Sequence, residues 1–374
     1  MTDKLDFLYH DEVTVLNLRR LYENRGFKKF RMGKFESYDF YAKNKDFLVG
    51  NRIITFSDLN GKLMALKPDV TLSIIKNADE GGNGRQKLYY TENVYRESKD
   101  IHEFKEIFQV GLEVLGEIDL FETVEIVTLA IKSLIEIDKN AILEISHIGY
   151  TEGLIDCMSA DKTVKDKLHE LLGSKNSHDL QKLAESHSLP KNPVNTAVEI
   201  MQPKNTNEET LLVAEELALG AKMQEAVTEL KNIYGILKKS GLESHVRIDF
   251  SACGDPSYYN GILMHGYVHG IPRNVLSGGR YDMLMNKMGR GNAHAMGFAI
   301  YFDALDRGLH TREKNTTDAY IVYDSDSDIE TMISLTSSLD EKGVSYTAVT
   351  SLPEALSGVK IYHISGNQVK EGAL

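Results

Sequence analysis

Two periods of hydrophobic and polar positions run along this chain. Residues 10–25, HDEVTVLNLRRLYENR, place Val13, Leu16, Leu18 and Leu21 near one helical face, and Gly26 stands where a helix stop belongs. FKKFRMGKFES then reads as a strand. RIITFSDLNGKLMALKP predicts a hairpin around an Asn-Gly pair, and PDVTLSIIKNAD a helix with Pro68 near its start. KLYYTENVYRES and FKEIFQVGLEVLGE are a second pair of strands, followed by a helix at 120–137 and a strand in NAILEISHIGY. From about 152 to 240 the chain turns helical and charged, and the strand pattern returns in HVRIDFSA, YNGILMHGYVHG, PRNVLSGGRYD and AHAMGFAIYF.

A composition break at 308–318 predicts a linker, followed by a small strand–helix–strand–strand unit with a short apolar stretch near 351–356. The expected organisation is therefore a domain over 1–307 that carries a helical insertion at about 152–240, and a second small α/β domain over 318–374. Strands that neighbour along the chain, with helices flanking them, indicate α+β rather than a doubly wound parallel sheet. The absence of a Gly-rich phosphate loop or a GxGxxG after a first strand agrees with that class.

Composition changes this picture in a few places. The 374 residues, 42% hydrophobic and 26% charged, are enough for a core that needs no staples. Cys157 and Cys253 lie far apart with no CxxC, which argues against a disulfide framework or a zinc site. The N-terminus lacks an apolar signal-peptide core, and no apolar run nears the roughly 18 residues a membrane helix needs. A cytoplasmic setting with no membrane contact is expected. The net charge of −12 disfavours nucleic acid, whose binding is dominated by phosphate contacts.

Candidate chemistry concentrates in four stretches. LKPDVT holds Asp69 and Thr71 at a helix start. In VYRES and FQVGLEVLG, Arg96 ends an apolar strand, while Gln109, Gly111 and Glu113 share one face of the next. Val110, Leu112 and Val114 fall on the packing side, so the polar face reads as a pocket floor. DPSYYNG carries the tandem Tyr258 and Tyr259, and SGGRYD followed by AMGF supplies glycines for close strand packing. Each has a plain structural alternative: a helix-dipole carboxylate, an exposed sheet face, half-buried tyrosines, tight turns.

In this order and at these intervals the four stretches resemble the catalytic core of class II aminoacyl-tRNA synthetases, and within that class histidyl-tRNA synthetase. LYENRGFKKFRMGKFES resembles the first, dimer-forming motif; NVYRESKDIHEFKEIFQVGLEVLG the second; SGGRYDMLMNKMG and AHAMGFAIYFDAL the glycine-rich stretch and third motif. The resemblance covers about 10–150 and 245–307 and implies the class II antiparallel sheet with flanking helices. It also exposes departures. Where the family has an arginine on the ATP phosphates this chain has Ala304, and where an arginine serves activation it has Gly254. Gly33 replaces the first motif's proline, and the second motif's loop is short and carries Asp100 and Glu103. Adenylate formation develops charge on a phosphate that fixed cations must meet, and losing one such donor costs about 10²–10³ in rate. Among the expected phosphate-side arginines Arg96 remains.

The amino-acid end is largely kept. By resemblance Asp69 and Thr71 match the segment that meets an ammonium group, Gln109 and Glu113 line the histidine pocket, and Tyr258 and Tyr259 lie near the imidazole. Arg96 suits a carboxylate. A kept histidine cradle with a dismantled ATP clamp resembles the regulatory subunits of short-form ATP phosphoribosyltransferase. That family implies a non-catalytic protein of histidine biosynthesis, paired with a separate catalytic subunit in a hetero-octamer. It also implies a homodimer through the first-motif region, L-histidine as a ligand, no tRNA, and no metal or cofactor. A divergent active histidyl-tRNA synthetase and a free-standing histidine-binding protein are the competing readings.

Overall fold

The computed structural model describes residues 8–48, 52–77, 85–97, 103–252, 254, 258–291, 293–305, 317–353 and 358–373. Cys253, Asp100, the 255–257 run and most of the expected linker lie outside them. The chain divides into two compact units, Met1–His310 and Thr311–Leu374.

The first unit begins with helix α1 (His10–Glu23), which ends before Gly26 at φ 81°. Its buried face is Thr14, Leu18 and Tyr22; of the apolar set the spacing suggested only Leu18 is fully buried, Val13 and Leu21 are partly so, and Leu16 is 43% exposed. Polar groups can lie inward here because they are satisfied: Thr14 Oγ1 donates to the His10 carbonyl, and the Tyr22 hydroxyl bonds Ser133 Oγ at 2.9 Å. The strand expected over FKKFRMGKFES is two short ones. β1 (Lys28–Lys29) joins the large sheet, while β2 (Phe35–Ser37) joins a small one. Helix α2 (Tyr38–Lys43) follows, then the hairpin of β3 (Thr55–Ser57) and β4 (Leu63–Leu66). Gly61 takes φ 77° in its turn, and Asp58 accepts from the Asn60 and Lys62 amides.

Helix α3 (Thr71–Asn77) leads into β5 (Gln86–Glu97) and β6 (Phe104–Gly116), a long antiparallel pair. Helix α4 (Leu120–Ile137) starts on Asp119, whose carboxylate accepts from the Phe121 amide at 2.8 Å. Then β7 (Ile142–His147) enters the sheet; the rest of the predicted strand is already helical, because His147 Nδ1 accepts from the Gly149 amide and caps α5 (Ile148–Met158). Five more helices follow: α6 (Lys162–Gly173), α7 (Ser177–Ser186), α8 (Lys191–Ile200), α9 (Asn207–Glu216) and α10 (Ala221–Lys239). Asp161, Asn176 and Thr206 cap three of them through side-chain oxygens. This helical segment connects β7 to β8 (Val246–Ile248), which pairs with it in parallel. Parallel neighbours require a long crossover, and the insertion supplies it.

The sheet closes with β9 (Ile262–Tyr267), β10 (Leu276–Arg280), helix α11 (Asp282–Lys287) and β11 (His294–Tyr301). Among the described residues the order is β1-β5-β6-β11-β10-β9-β7-β8, antiparallel except for the β1–β5 and β7–β8 edges. Val110, Leu112 and Val114 enter the core against α1, α4 and the insertion. The opposite face packs Leu115, Ala295, Tyr90 and Val94 against α2, α3 and α11.

The second unit holds β12 (Ala319–Val322), α12 (Ile329–Glu341), β13 (Tyr346–Val349), β14 (Lys360–Ser365) and β15 (Gln368–Ala373), around Ile321, Leu339 and Ile364. β15 was not expected from the sequence. It returns along β14 through Gly366-Asn367, a two-residue hairpin turn. Leu112, wholly buried at the middle of β6, tests how far the sheet depends on its core. Leu112→Ala is expected to destabilise by about 2–5 kcal/mol, read as a lowered urea midpoint.

Candidate functional site

A cavity of about 320 Å³ opens on the sheet face opposite α4. Its floor comes from four strands in register. Glu113 lies opposite Gly297, Gly111 opposite Ala299, and Gln109 opposite Tyr301. Across β10, Ser277 pairs with Ala299 and Gly279 with Gly297, while on the other side Tyr90 pairs with Gly111. Small residues alternate with large ones, so the large side chains lie over glycines. A Cβ on Gly297 would stand 1.8 Å from Glu113 Oε2, and one on Gly111 would stand 2.5 Å from the Tyr90 hydroxyl.

All seven residues singled out in the sequence line this one cavity: Asp69, Thr71, Arg96, Gln109, Glu113, Tyr258 and Tyr259. Those from α3 and the sheet are buried, and the tandem tyrosines are half-buried at 4.7 Å between ring centroids. Asp69 and Arg96 do not stand apart, as separate roles for them would suggest. Arg96 Nη2 lies 3.2 Å from Asp69 Oδ2, and its Nε donates to the Pro68 carbonyl at 2.5 Å. The other Asp69 oxygen accepts from the Leu72 amide at 2.8 Å and starts α3. Burial pushes the Asp69 carboxyl up from its ordinary value, opposed by the Arg96 charge.

Glu113 is held differently. Thr71 Oγ1 donates to its Oε1 at 2.8 Å, and the Tyr281 hydroxyl donates to its Oε2. Burial pushes it up to about 8, with those two hydroxyls pulling back and Asp69 adding repulsion. Gln109 is 2% exposed, and its Nε2 has no hydrogen-bond partner among the described residues. A buried donor left open in a cavity wall is a contact waiting for an occupant.

Sequence reasoning did not single out Tyr281, Tyr90, Ser277 or Tyr301, which also line the cavity. The signal for Tyr281 was present: Ser277, Gly279 and Tyr281 share a period of two in SGGRYD. Among the described lining residues, Arg96 is the one cation. At Gly254 a Cβ would already meet Leu263 and Tyr259 carbons at 3.0–3.2 Å. Ala304 lies in a short 3-10 turn, Phe302–Ala304, and packs against the main core. Among the described residues no group of three His, Cys, Asp or Glu could hold a metal ion, and no helix is long and apolar enough to cross a membrane.

A mostly antiparallel sheet whose glycine-rich strands floor a tyrosine-walled cavity agrees with the class II aminoacyl-tRNA synthetase-like fold that the sequence resembles. The Histidyl-tRNA synthetase family profile matches residues 8–305. An ATP phosphoribosyltransferase regulatory subunit from Clostridium kluyveri is 30% identical over 357 residues, covering 91% of this chain and 90% of its own. The chain belongs to the histidyl-tRNA synthetase family, in its branch of ATP phosphoribosyltransferase regulatory subunits. Two solved structures carry the same fold. One is an ATP phosphoribosyltransferase regulatory subunit/histidyl-tRNA synthetase from Bacillus halodurans, with TM-score 0.78, 20% identity, and coverage of 95% of this chain and 93% of that one. The other is an ATP phosphoribosyl transferase (HisG:HisZ) complex from Thermotoga maritima, with TM-score 0.61, 20% identity, and coverage of 80% and 98%.

Among the glycines of the cavity floor, Gly297 leaves the least room for a side chain, at 1.8 Å from an added Cβ to Glu113 Oε2. Gly297→Ala is expected to displace Glu113 and cost about 1–3 kcal/mol, a typical overpacking penalty, seen as a lower melting temperature. An unchanged melting temperature would mean that the strand yields more easily than its register implies.

Proposed function

We propose that this chain is the non-catalytic regulatory subunit of a short-form ATP phosphoribosyltransferase in histidine biosynthesis, and that its cavity holds L-histidine. Family membership supports the first part. The observation that carries the second is the charge inventory of the cavity. One cation and one anion, Arg96 and Asp69, face each other at 3.2 Å, and a second carboxyl, Glu113, stands deeper with two hydroxyls on it. A zwitterion suits such a pair: its ammonium meets Asp69 and its carboxylate meets Arg96. Glu113, Gln109, Tyr258 and Tyr259 then surround a ring with nitrogen donors and acceptors.

The same inventory disfavours adenylate chemistry. A triphosphate needs cations beyond Arg96, and Arg96 already serves Asp69 and the Pro68 carbonyl. Aminoacylation is therefore lost in this reading. The chain acts by assembling with a catalytic subunit, four copies of each in a hetero-octamer, activating it and carrying histidine feedback. It works in the cytoplasm without tRNA. Pairing of two copies through the first-motif region is supported by apolar surface there: Phe35 is 54% exposed, and its ring meets edge-on, at 5.4 Å, that of Phe56 on the neighbouring hairpin, itself 38% exposed. Histidine can regulate only by binding the active and inhibited assemblies unequally, with a coupling of about 1–3 kcal/mol typical.

Two outcomes follow. The purified chain is expected to give no histidine-dependent ATP–pyrophosphate exchange, and to co-purify with and activate a short phosphoribosyltransferase chain. Exchange at a synthetase-like rate would overturn this in favour of a divergent synthetase. Glu113→Ala is expected to weaken histidine binding by about 10–100-fold, the cost of a lost buried charge-assisted hydrogen bond. Titration calorimetry returning the wild-type affinity would remove Glu113 from the ligand's contacts.

A further inference from the structure

Glu113 has an unusual set of neighbours for a buried carboxyl. From α3 and the turn before it come Thr71, which bonds it, and Asp69, an anion. From the end of β10 comes Tyr281, which also bonds it. Tyr90 of β5 and the tyrosines at 258 and 259 face the same space, and all three are pushed up by burial and by Glu113 itself, so they stay neutral hydroxyls. Gly297 of β11 closes the fourth side. The cavity's one cation among the described lining residues, Arg96, is held by Asp69 and the Pro68 carbonyl. Nothing positive among these neighbours balances Glu113, and both hydroxyls on it can either donate or accept.

We propose that Glu113 meets the ligand as an acid, so that cavity and ligand ring together hold one proton, and the site selects rings that can accept a hydrogen bond. This rests on the reading that the cavity takes histidine. In the complex the proton lies between a Glu113 oxygen and one ring nitrogen, whichever of the two it is formally bonded to. Burial holding Glu113 up to about 8 agrees with the geometry. The other half is the free imidazole, with its ordinary value near ~6.5.

The signs follow from counting. Below the ring's value both partners carry a proton, and binding must release one. Above Glu113's value neither does, and binding must take one up. Between the two, one proton is already present and none is exchanged. From about 8 for Glu113 and ~6.5 for the ring, affinity is expected to peak near pH ~7.2 and to fall about eightfold at both pH ~5.5 and pH ~9.

The test is titration calorimetry of histidine on the intact chain at those three pH values, each in two buffers of different ionisation enthalpy. Proton release at the acid end, none at the centre and uptake at the alkaline end supports the proposal. The ligand's own ammonium also titrates at the alkaline end, so Glu113→Gln provides the comparison. Its amide is a donor that does not titrate, and it is expected to bind while taking up fewer protons at pH ~9 than wild type. The 1,2,4-triazole analogue of histidine, whose ring stays neutral over this range, is expected to lose the acid limb on the wild-type chain and keep the alkaline one. Histidine binding with the same affinity and no proton exchange across the range overturns the proposal and leaves the histidine reading intact. No binding at any pH overturns the histidine reading itself.

Discussion

A carboxyl buried in the middle of a sheet must be satisfied, and most of the first unit's architecture around the cavity serves that requirement at Glu113. An unpaired charge there would be prohibitive, so the site either neutralises the group or surrounds it with donors. Here it does both. Thr71 reaches it from the start of a helix 42 positions earlier in the chain, and Tyr281 from a strand end 168 positions later. These two contacts tie α3 and β10 to β6. Asp69, two residues from Thr71, is thereby fixed opposite Arg96 on β5. The cavity is the space these constraints leave.

The glycines make that space possible. Antiparallel neighbours place their side chains directly opposite one another, so a carboxyl or tyrosine on one strand needs an empty position on the next. Gly297 provides it for Glu113, and Gly111 for Tyr90. Close packing on the other face, where Val110, Leu112 and Val114 meet α1 and α4, keeps the strand from shifting to relieve the crowding. A cavity floor and a hydrophobic core are thus two faces of one strand.

Much of this was legible in the sequence because it follows from local periodicity. The alternation in FQVGLEVLG separates floor from core, and the change to helical spacing marks the crossover between β7 and β8. What was not legible depends on partners distant in the chain. Tyr22 sits on the buried side of α1 because its hydroxyl meets Ser133 Oγ, 111 positions later, and apolar spacing cannot reveal that. The first motif's strand divides because its two ends find different sheets. Asp69 and Arg96, 27 positions apart, read as two separate polar candidates until their pairing appears. Gln109 was chosen for its position on a face, but its open Nε2 becomes visible only when every neighbour is accounted for.

The Asp69–Arg96 pair also bears on why a synthetase-like fold would serve regulation. A synthetase site must hold an amino acid and stabilise charge developing on a phosphate, and the second task requires cations not already neutralised. A buried ion pair in the cavity wall is poor for that and suits the zwitterion proposed above, each half of which would give one member of the pair a further partner. Neighbours already close over Gly254, so a long cation there would have to displace them, and at Ala304 the partly buried methyl packs against the core with no charge to offer. In the proposed reading, binding is separated from chemistry by changes at those two positions, while the residues of the cavity floor stay in place. In the proposed assembly, a subunit that binds an end product without consuming it can act only through unequal affinity for two states of its partner, and linkage then makes the partner's state alter histidine binding by the same factor.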